Sequence, residues 1–225
     1  MHPVRRLILF AKAPVPGAVK SRLCPPLRPE DAARLAAAFL LDEAAAFGSL
    51  PGVELSVAFT PPESAGCFRR VLGESSGVPL RPQARGDLGE RLALAFAVGS
   101  QDGASVVIAG SDAPDLPSAR IGAAFAALES DDVDVVLGPA VDGGYYLVGA
   151  RRLYGCLFDR IPWSTGDVLQ ETLQRAASAS LKLHLLPLWE DVDRPADLER
   201  LRERLTGSDL CTAPVTTRVL AEISW

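Results

Sequence analysis

The chain predicts an α/β protein with a mostly parallel central sheet and helices on both faces. Three observations lead there. The apolar runs at 7–10 and 104–109 are continuous rather than alternating, the mark of strands buried on both sides. Strand-length and helix-length segments alternate along the chain, as they do in βαβ units. Glycine, proline and charge concentrate in the loops after strands, at the carboxyl end of the sheet, where open α/β folds bind ligands.

The elements follow in order. The first strand, at 7–10, runs into the loop Ala11-Lys12-Ala13-Pro14-Val15-Pro16-Gly17, stiffened by two prolines and loosened by one glycine. Pro29-Glu30-Asp31 opens an alanine-rich helix to residue 47, with its acidic residues at the positive end of the helix dipole. After a turn at 48–52, residues 53–59 alternate as a second strand. A helix at 63–72, a short strand at 78–82 and a long helix at 88–98 come next. A buried strand at 104–109 precedes a helix at 118–128, then strands at 134–137 and 145–148. A helix at 165–177, a strand at 181–187 and a helix at 195–205, with Pro195 in its first turn, complete the pattern. Residues 1–207 read as one domain. Residues 208–225 differ in texture, with Leu210, Val215, Val219, Leu220, Ile223 and Trp225 spaced among threonines. Three placements are open for this tail: an edge strand, a segment packed on the core, or a contact with a second subunit in a homodimer.

Composition narrows the function. The 225 residues are 48% hydrophobic and 23% charged, ordinary for a chain with a real core. A formal net charge of -5 opposes general attraction to nucleic acid or an anionic membrane, and no basic helix is present. The cysteines, Cys24, Cys67, Cys156 and Cys211, are far apart, and His2 and His184 are the only histidines, so a zinc site has few ligands to draw on. Incidental thiols in a reducing cytoplasm are expected. No apolar run approaches the roughly 20 residues of a membrane helix, and the amino terminus lacks a signal-peptide cleavage region.

Against that acidic background the first loop stands out. Lys12, Lys20 and Arg22 place three cations on or just past a rigid turn, so Ala11, Lys12, Pro16, Gly17, Lys20 and Arg22 are candidates to hold a nucleotide's phosphates. A solvated basic turn is the alternative. The strand at 104–109 delivers Gly110-Ser111-Asp112 to its carboxyl end. One aspartate there suits magnesium, which takes one or two carboxylates and completes its shell with water and phosphate. Asp115 is expected to cap the following helix.

Asp142-Gly143-Gly144 lies between two strands and reads as a hairpin turn or as a loop that approaches a ligand, with Tyr145 and Tyr146 walling a pocket. Asp193 is open to two readings, a second metal ligand or a cap for the helix at Pro195. Gly86, Asp87 and Arg91 enter a helix after a short strand, where the same residues serve a cap or a base and ribose.

Taken together, five ordered motifs resemble a known family. They are Phe-Ala-Lys-x-Pro-x-Pro-Gly-x-Val-Lys-Ser-Arg-Leu, Gly-Asp-Leu-Gly-Glu-Arg, Gly-Ser-Asp-x-Pro-x-Leu, Gly-Pro-x-x-Asp-Gly-Gly-Tyr-Tyr and Asp-Val-Asp-x-Pro-x-Asp-Leu. The family is a bacterial group of GT-A-like transferases, including the arsenosugar-biosynthesis, radical-SAM-associated type, within the nucleotide-diphospho-sugar transferase superfamily. The resemblance spans residues 7 to about 205. Ser21 stands where the family usually has threonine, Arg194 where a threonine often precedes the proline, and the strict Asp-x-Asp of many sugar transferases is absent.

The resemblance implies a Rossmann-like GT-A sheet with nucleotide over the first loop. It implies a divalent ion, magnesium or manganese, on Asp112 with Asp193 as a second ligand, and donor sugar or acceptor facing Asp142, Gly143 and Gly144. Glycosyl transfer from a nucleotide-diphospho-sugar to a small-molecule acceptor is the favoured activity. Nucleotidyl transfer from a nucleoside triphosphate to a phosphorylated small molecule, with pyrophosphate release, is the alternative, and a non-catalytic nucleotide-binding regulator is a third reading. In either transfer the metal ion with Lys12, Lys20 and Arg22 offsets the charge that builds on phosphate, and Asp142 is a candidate acceptor base.

Overall fold

The computed structural model describes residues 4–207 and 212–223; His2, Leu210, Cys211 and Trp225 lie outside them. Seven strands form one sheet: β1 (Arg5–Lys12), β2 (Val53–Thr60), β3 (Leu80–Pro82), β4 (Ser105–Gly110), β5 (Val135–Pro139), β6 (Tyr145–Ala150) and β7 (Leu183–Leu185). Their order is β3-β2-β1-β4-β6-β5-β7, and only β6 runs against the rest. The helices are α1 (Pro29–Gly48), α2 (Ala65–Leu72), α3 (Leu88–Gly99), α4 (Ser118–Leu128), α5 (Val168–Ser178), α6 (Pro195–Thr206) and α7 (Pro214–Glu222). The expected α/β sheet is the one found.

β1 shows why the apolar run is continuous. Leu7, Leu9 and Ala11 join Phe47, Ile121 and Phe125 in the core on one face. Ile8 and Phe10 point to the other, against the cluster of Phe96, Ile108 and Val148. The chain builds outward from β1 to β2 and β3, then crosses back to lay β4 on the opposite side of β1. The carboxyl ends of β1 and β4 therefore flank the point where strand order reverses, and a crevice opens there.

Several expected boundaries shift for local reasons. The helix expected at 165–177 starts at Val168, because Thr165 Oγ1 donates to Pro162 O at 2.7 Å and accepts from the Asp167 amide at 3.3 Å, closing a turn first. The segment expected as a helix from 63 begins as a short 3₁₀ turn at Pro62–Ser64 before α2. The strand expected at 78–82 shortens to β3, since Pro79 has no amide proton for the ladder.

An edge strand was one expectation for the tail; instead Pro214–Glu222 is a helix. α7 buries Val219 and Leu220 with Phe39 of α1 and Leu198 and Leu201 of α6. Its amino terminus is capped by another element. The buried Asp42 carboxylate on α1 accepts the Val215 and Thr216 amides at 3.0 and 2.7 Å. Asp42→Ala leaves those two amides without their acceptor, so it is expected to cost about 2 kcal/mol in urea unfolding, with Asp42→Asn losing less. Equal stability of wild type and Asp42→Ala would show that α7 is held by packing alone.

Candidate active site

The crevice divides into two adjoining clefts. The first, of about 290 Å³, is reached from Lys12 at the end of β1 and is bounded by Gln83, Arg91, Ser111, Asp112, Tyr145 and Asp191. The second, of about 610 Å³, is bounded by Arg22, Asp142, Gly144, Trp163, Asp193 and Arg194. Asp112, Asp191, Leu88 and Tyr145 line both, so two carboxylates sit where the clefts meet.

The first loop holds its shape by short backbone bonds: Ala13 N to Thr60 O at 2.8 Å, Val15 N to Ala13 O at 2.8 Å and Ala18 N to Val15 O at 3.0 Å. Gly17 at φ +75° makes the turn. The three cations expected to act together are separated. Lys12 is exposed at the mouth of the first cleft, and Arg22 pairs with Asp193 at 2.6 Å on the second. Lys20 goes inward. Its backbone is left-handed at φ 48°, its side chain is 3% exposed, and its ammonium pairs with Asp112, donates to Val192 O at 2.5 Å and lies 5.6 Å from the Phe39 ring centre.

Asp112 is fixed from three sides. Lys20 pairs with its carboxylate, and its carbonyl accepts the Val192 amide at 2.8 Å. Below it, the buried Glu43 carboxyl accepts the Ala113 amide at 3.0 Å. Burial, reinforced by the Asp112 charge, pushes Glu43 well above the usual carboxylate range. Asp115 does not cap α4 as expected. It is buried and pairs with Arg204 Nε at 2.6 Å, and Arg204 also binds Glu190 at 2.6 Å, so α6 staples the loops after β4 and β7 together.

The loop at 189–194 carries a residue that the sequence reading passed over. Val192 is fully buried, whereas Asp191 and Asp193 on either side of it line the clefts. That alternation around one apolar residue was the available signal. Burial, then the charges of Asp142 and Asp112, raises Asp191 to about 6. Asp193 does not cap α6 through its side chain; Asp197 reaches back instead to accept the Asp193 and Arg194 amides at 3.0 and 2.7 Å.

The β5–β6 connection is a hairpin. Asp142 Oδ1 accepts the Gly144 amide at 2.8 Å, and Gly143 adopts φ +90°. A Cβ on Gly143 would fall 2.1 Å from Gly166 O, so the turn tip seats directly on the backbone before α5. Tyr145 stands edge-on to Trp163 with ring centres 6.3 Å apart, and burial raises its hydroxyl pKa. Gly86 and Asp87 shape the start of α3. Asp87 and Glu90 exchange capping bonds, each at 2.9 Å. Neither Gly86, Asp87, Pro16 nor Gly17 lines the two clefts, whereas Ala11, Lys12, Arg91, Ser111, Asp112 and Tyr145 line the first.

No group of three potential metal ligands is preassembled among the described residues. The oxygen-only pair Asp112 and Asp191 nevertheless fits a hard dication, because burial, then the charges of Asp142 and Asp112, already disfavours a bare Asp191 carboxylate, and a cation that takes remaining ligands from phosphate would relieve it.

The Asp191 shift has a signed consequence. An unfolded aspartate titrates near about 3.9, so the folded state binds the extra proton between that value and about 6. The relative stabilisation from that proton is present at low pH and lost as pH rises through about 6. Asp191→Asn should therefore raise Tm by a few degrees at about pH 8 and leave it near wild type at about pH 4. A gap that stays constant across that range in differential scanning calorimetry would show an unshifted carboxylate.

Comparison with known proteins agrees with this architecture. A crystal structure from Desulfovibrio desulfuricans G20, provisionally classed as a nucleotide-diphospho-sugar transferase, superposes with a TM-score of 0.90 at 33% identity, covering 98% of this chain and 95% of that one. A cytidylyltransferase from Leptospira borgpetersenii serovar Hardjo-bovis shares the fold at TM-score 0.59 and 13% identity, over 99% of this chain and 94% of that one. In sequence, the phosphoenolpyruvate guanylyltransferase of Nocardia farcinica is 31% identical over 230 residues, covering 100% of this chain and 93% of its own length. The family described as "Uncharacterized protein conserved in bacteria (DUF2064)" matches residues 41–165. With that match over more than half its length, and a nucleotide-diphospho-sugar transferase fold, the chain belongs to the DUF2064 family.

Proposed function

We propose that the chain is a nucleotidyltransferase, joining a nucleoside triphosphate to a phosphorylated small-molecule acceptor with release of pyrophosphate. The observation that carries this is the meeting of two clefts at Asp112 and Asp191, one cleft opening past Lys12 and the other holding Arg22 and Arg194. Similarity to a phosphoenolpyruvate guanylyltransferase supports nucleotidyl transfer better than the glycosyl transfer that the motifs favour.

In this reading the nucleotide lies in the first cleft with its triphosphate toward Lys12 and Ser111. An oxygen of the acceptor phosphate attacks the α-phosphorus; the new P–O bond forms as the bond to the β-phosphate oxygen breaks, and pyrophosphate leaves with that electron pair. The acceptor oxygen is already anionic, so no general base is required, and Asp142 shapes the hairpin through Gly144. Magnesium or manganese, held by Asp112 and Asp191 with Asp193 beside them, would supply charge neutralisation at the phosphates. Arg22 and Arg194 orient the acceptor's anionic groups. Lys20 keeps Asp112 in place, and Tyr145 with Trp163 excludes water from the reacting atoms.

Incubation with the four nucleoside triphosphates, a panel of nucleotide sugars and phosphorylated small-molecule acceptors, with magnesium, tests the reading. Acceptor-dependent pyrophosphate release is expected. Nucleoside diphosphate released from a nucleotide sugar would instead place the chain with the glycosyltransferases of arsenosugar type that its motifs resemble. Asp112→Asn should reduce kcat/KM by about 100-fold or more with circular dichroism unchanged. Lys12→Ala should weaken triphosphate binding by about 1–3 kcal/mol in calorimetry.

A further inference from the structure

Gln83 follows β3 and is buried, yet both ends of its amide are used. Nε2 donates to Ala58 O on β2 at 2.8 Å, and Oε1 accepts from Arg91 Nη1 at 2.8 Å. The first bond settles the orientation of the amide, because a carbonyl can be met only by its NH₂ end. Arg91 is gripped at a second point, where Nε donates to Asp87 O at 3.1 Å. Asp87 is itself locked by the reciprocal bonds with Glu90. The guanidinium plane is therefore set by two acceptors, and no acceptor among the described residues bonds to Nη2. Gln83 and Arg91 lie in the first cleft beside the apolar walls of Phe10, Leu88 and Leu92. Gln83 comes from the β3 side of β1, whereas Ser111 and Asp112 come from the β4 side.

What this end of the cleft offers a ligand is an apolar wall beside the remaining N–H donors of an oriented Arg91. We propose that Arg91, aligned by Gln83, reads the base of the nucleotide and selects keto bases, guanine first. This rests on the reading that the first cleft binds nucleotide. Guanine presents O6 and N7 as adjacent acceptors, to be met by Nη2 and the second N–H of Nη1, since Nε and the first N–H of Nη1 are already engaged. Uracil offers a single carbonyl at the corresponding edge. Adenine keeps N7 but sets an amino group in the place of O6, and cytosine turns an amino group toward the guanidinium, so one N–H of the fork meets a donor instead of an acceptor. Gln83 is a positioning residue, acting only through Arg91.

Calorimetric titration of the full chain with GDP, UDP, ADP and CDP in magnesium tests base selection separately from the reaction. GDP should bind about tenfold or more tightly than ADP and CDP, with UDP between them. Arg91→Gln carries both a donor and an acceptor, so the preference should collapse to about threefold or less. Gln83→Leu keeps Arg91 but releases its plane, and should lower the GDP-to-ADP ratio by about fivefold while leaving ADP affinity near wild type. ADP or CDP binding as tightly as GDP to the wild type overturns the proposal, as does an undiminished GDP preference in either variant. Binding of all four diphosphates without preference removes base selection and leaves nucleotidyl transfer standing. Selective binding without pyrophosphate release removes the reaction and leaves base selection standing, and failure to bind any of the four overturns both.

Discussion

The ammonium of Lys20 joins three segments that the chain keeps far apart. It leaves a left-handed backbone position just after the first loop, passes beneath the sheet's carboxyl edge, and ends between Asp112 and the Val192 carbonyl. A buried cation is costly without partners, and here each partner belongs to a different loop of the crevice. Removing it would leave Asp112 without its counter-charge and Val192 without its donor. The placement of both shared carboxylates therefore depends on one lysine that is almost hidden from ligand.

Around that strut, charge is arranged by depth. Glu43 lies buried in α1, below Asp112, with burial favouring its neutral form. Asp112 and Asp191 stand at the junction of the clefts, and Asp193 lies farther out with Arg22. Burial first, and then the charges of Asp142 and Asp112, raises the Asp191 pKa, and a polyphosphate would add more negative charge. The arginines of α6, Arg200 and Arg204, pair with Glu190 at the edge of the second cleft, and Arg204 also pairs with the buried Asp115.

Much of this is written in local sequence. Continuous apolar runs mark β1 and β4, Pro29 and Pro195 mark helix starts, and Asp87 with Glu90 announces its own capping box. The first loop and Gly-Ser-Asp are found at the strand ends where ligands are expected. What escapes local reading depends on contacts across the sheet. Nothing near Lys20 says that it turns inward, because its partners lie at positions 112 and 192. Asp115 looks like a cap until Arg204 arrives from α6, and Asp42 looks like an ordinary helix-surface acid until α7 docks on it. The tail's spacing of apolar residues fits helix and strand alike, and packing on α1 decides for helix. Gln83 carries no signal of its own, since its role is defined by Ala58 behind it and Arg91 in front.

Asp42 and Glu43 are neighbours on one turn of α1, yet they serve different elements. One receives the first amides of α7, and the other receives the amide that follows Asp112. The same stretch of helix is thus a shared footing for α7 and for the loop that carries Asp112. The segment at 214–222 is therefore linked to the Asp112 loop through two adjacent carboxyl groups of α1, Asp42 on one side and Glu43 on the other.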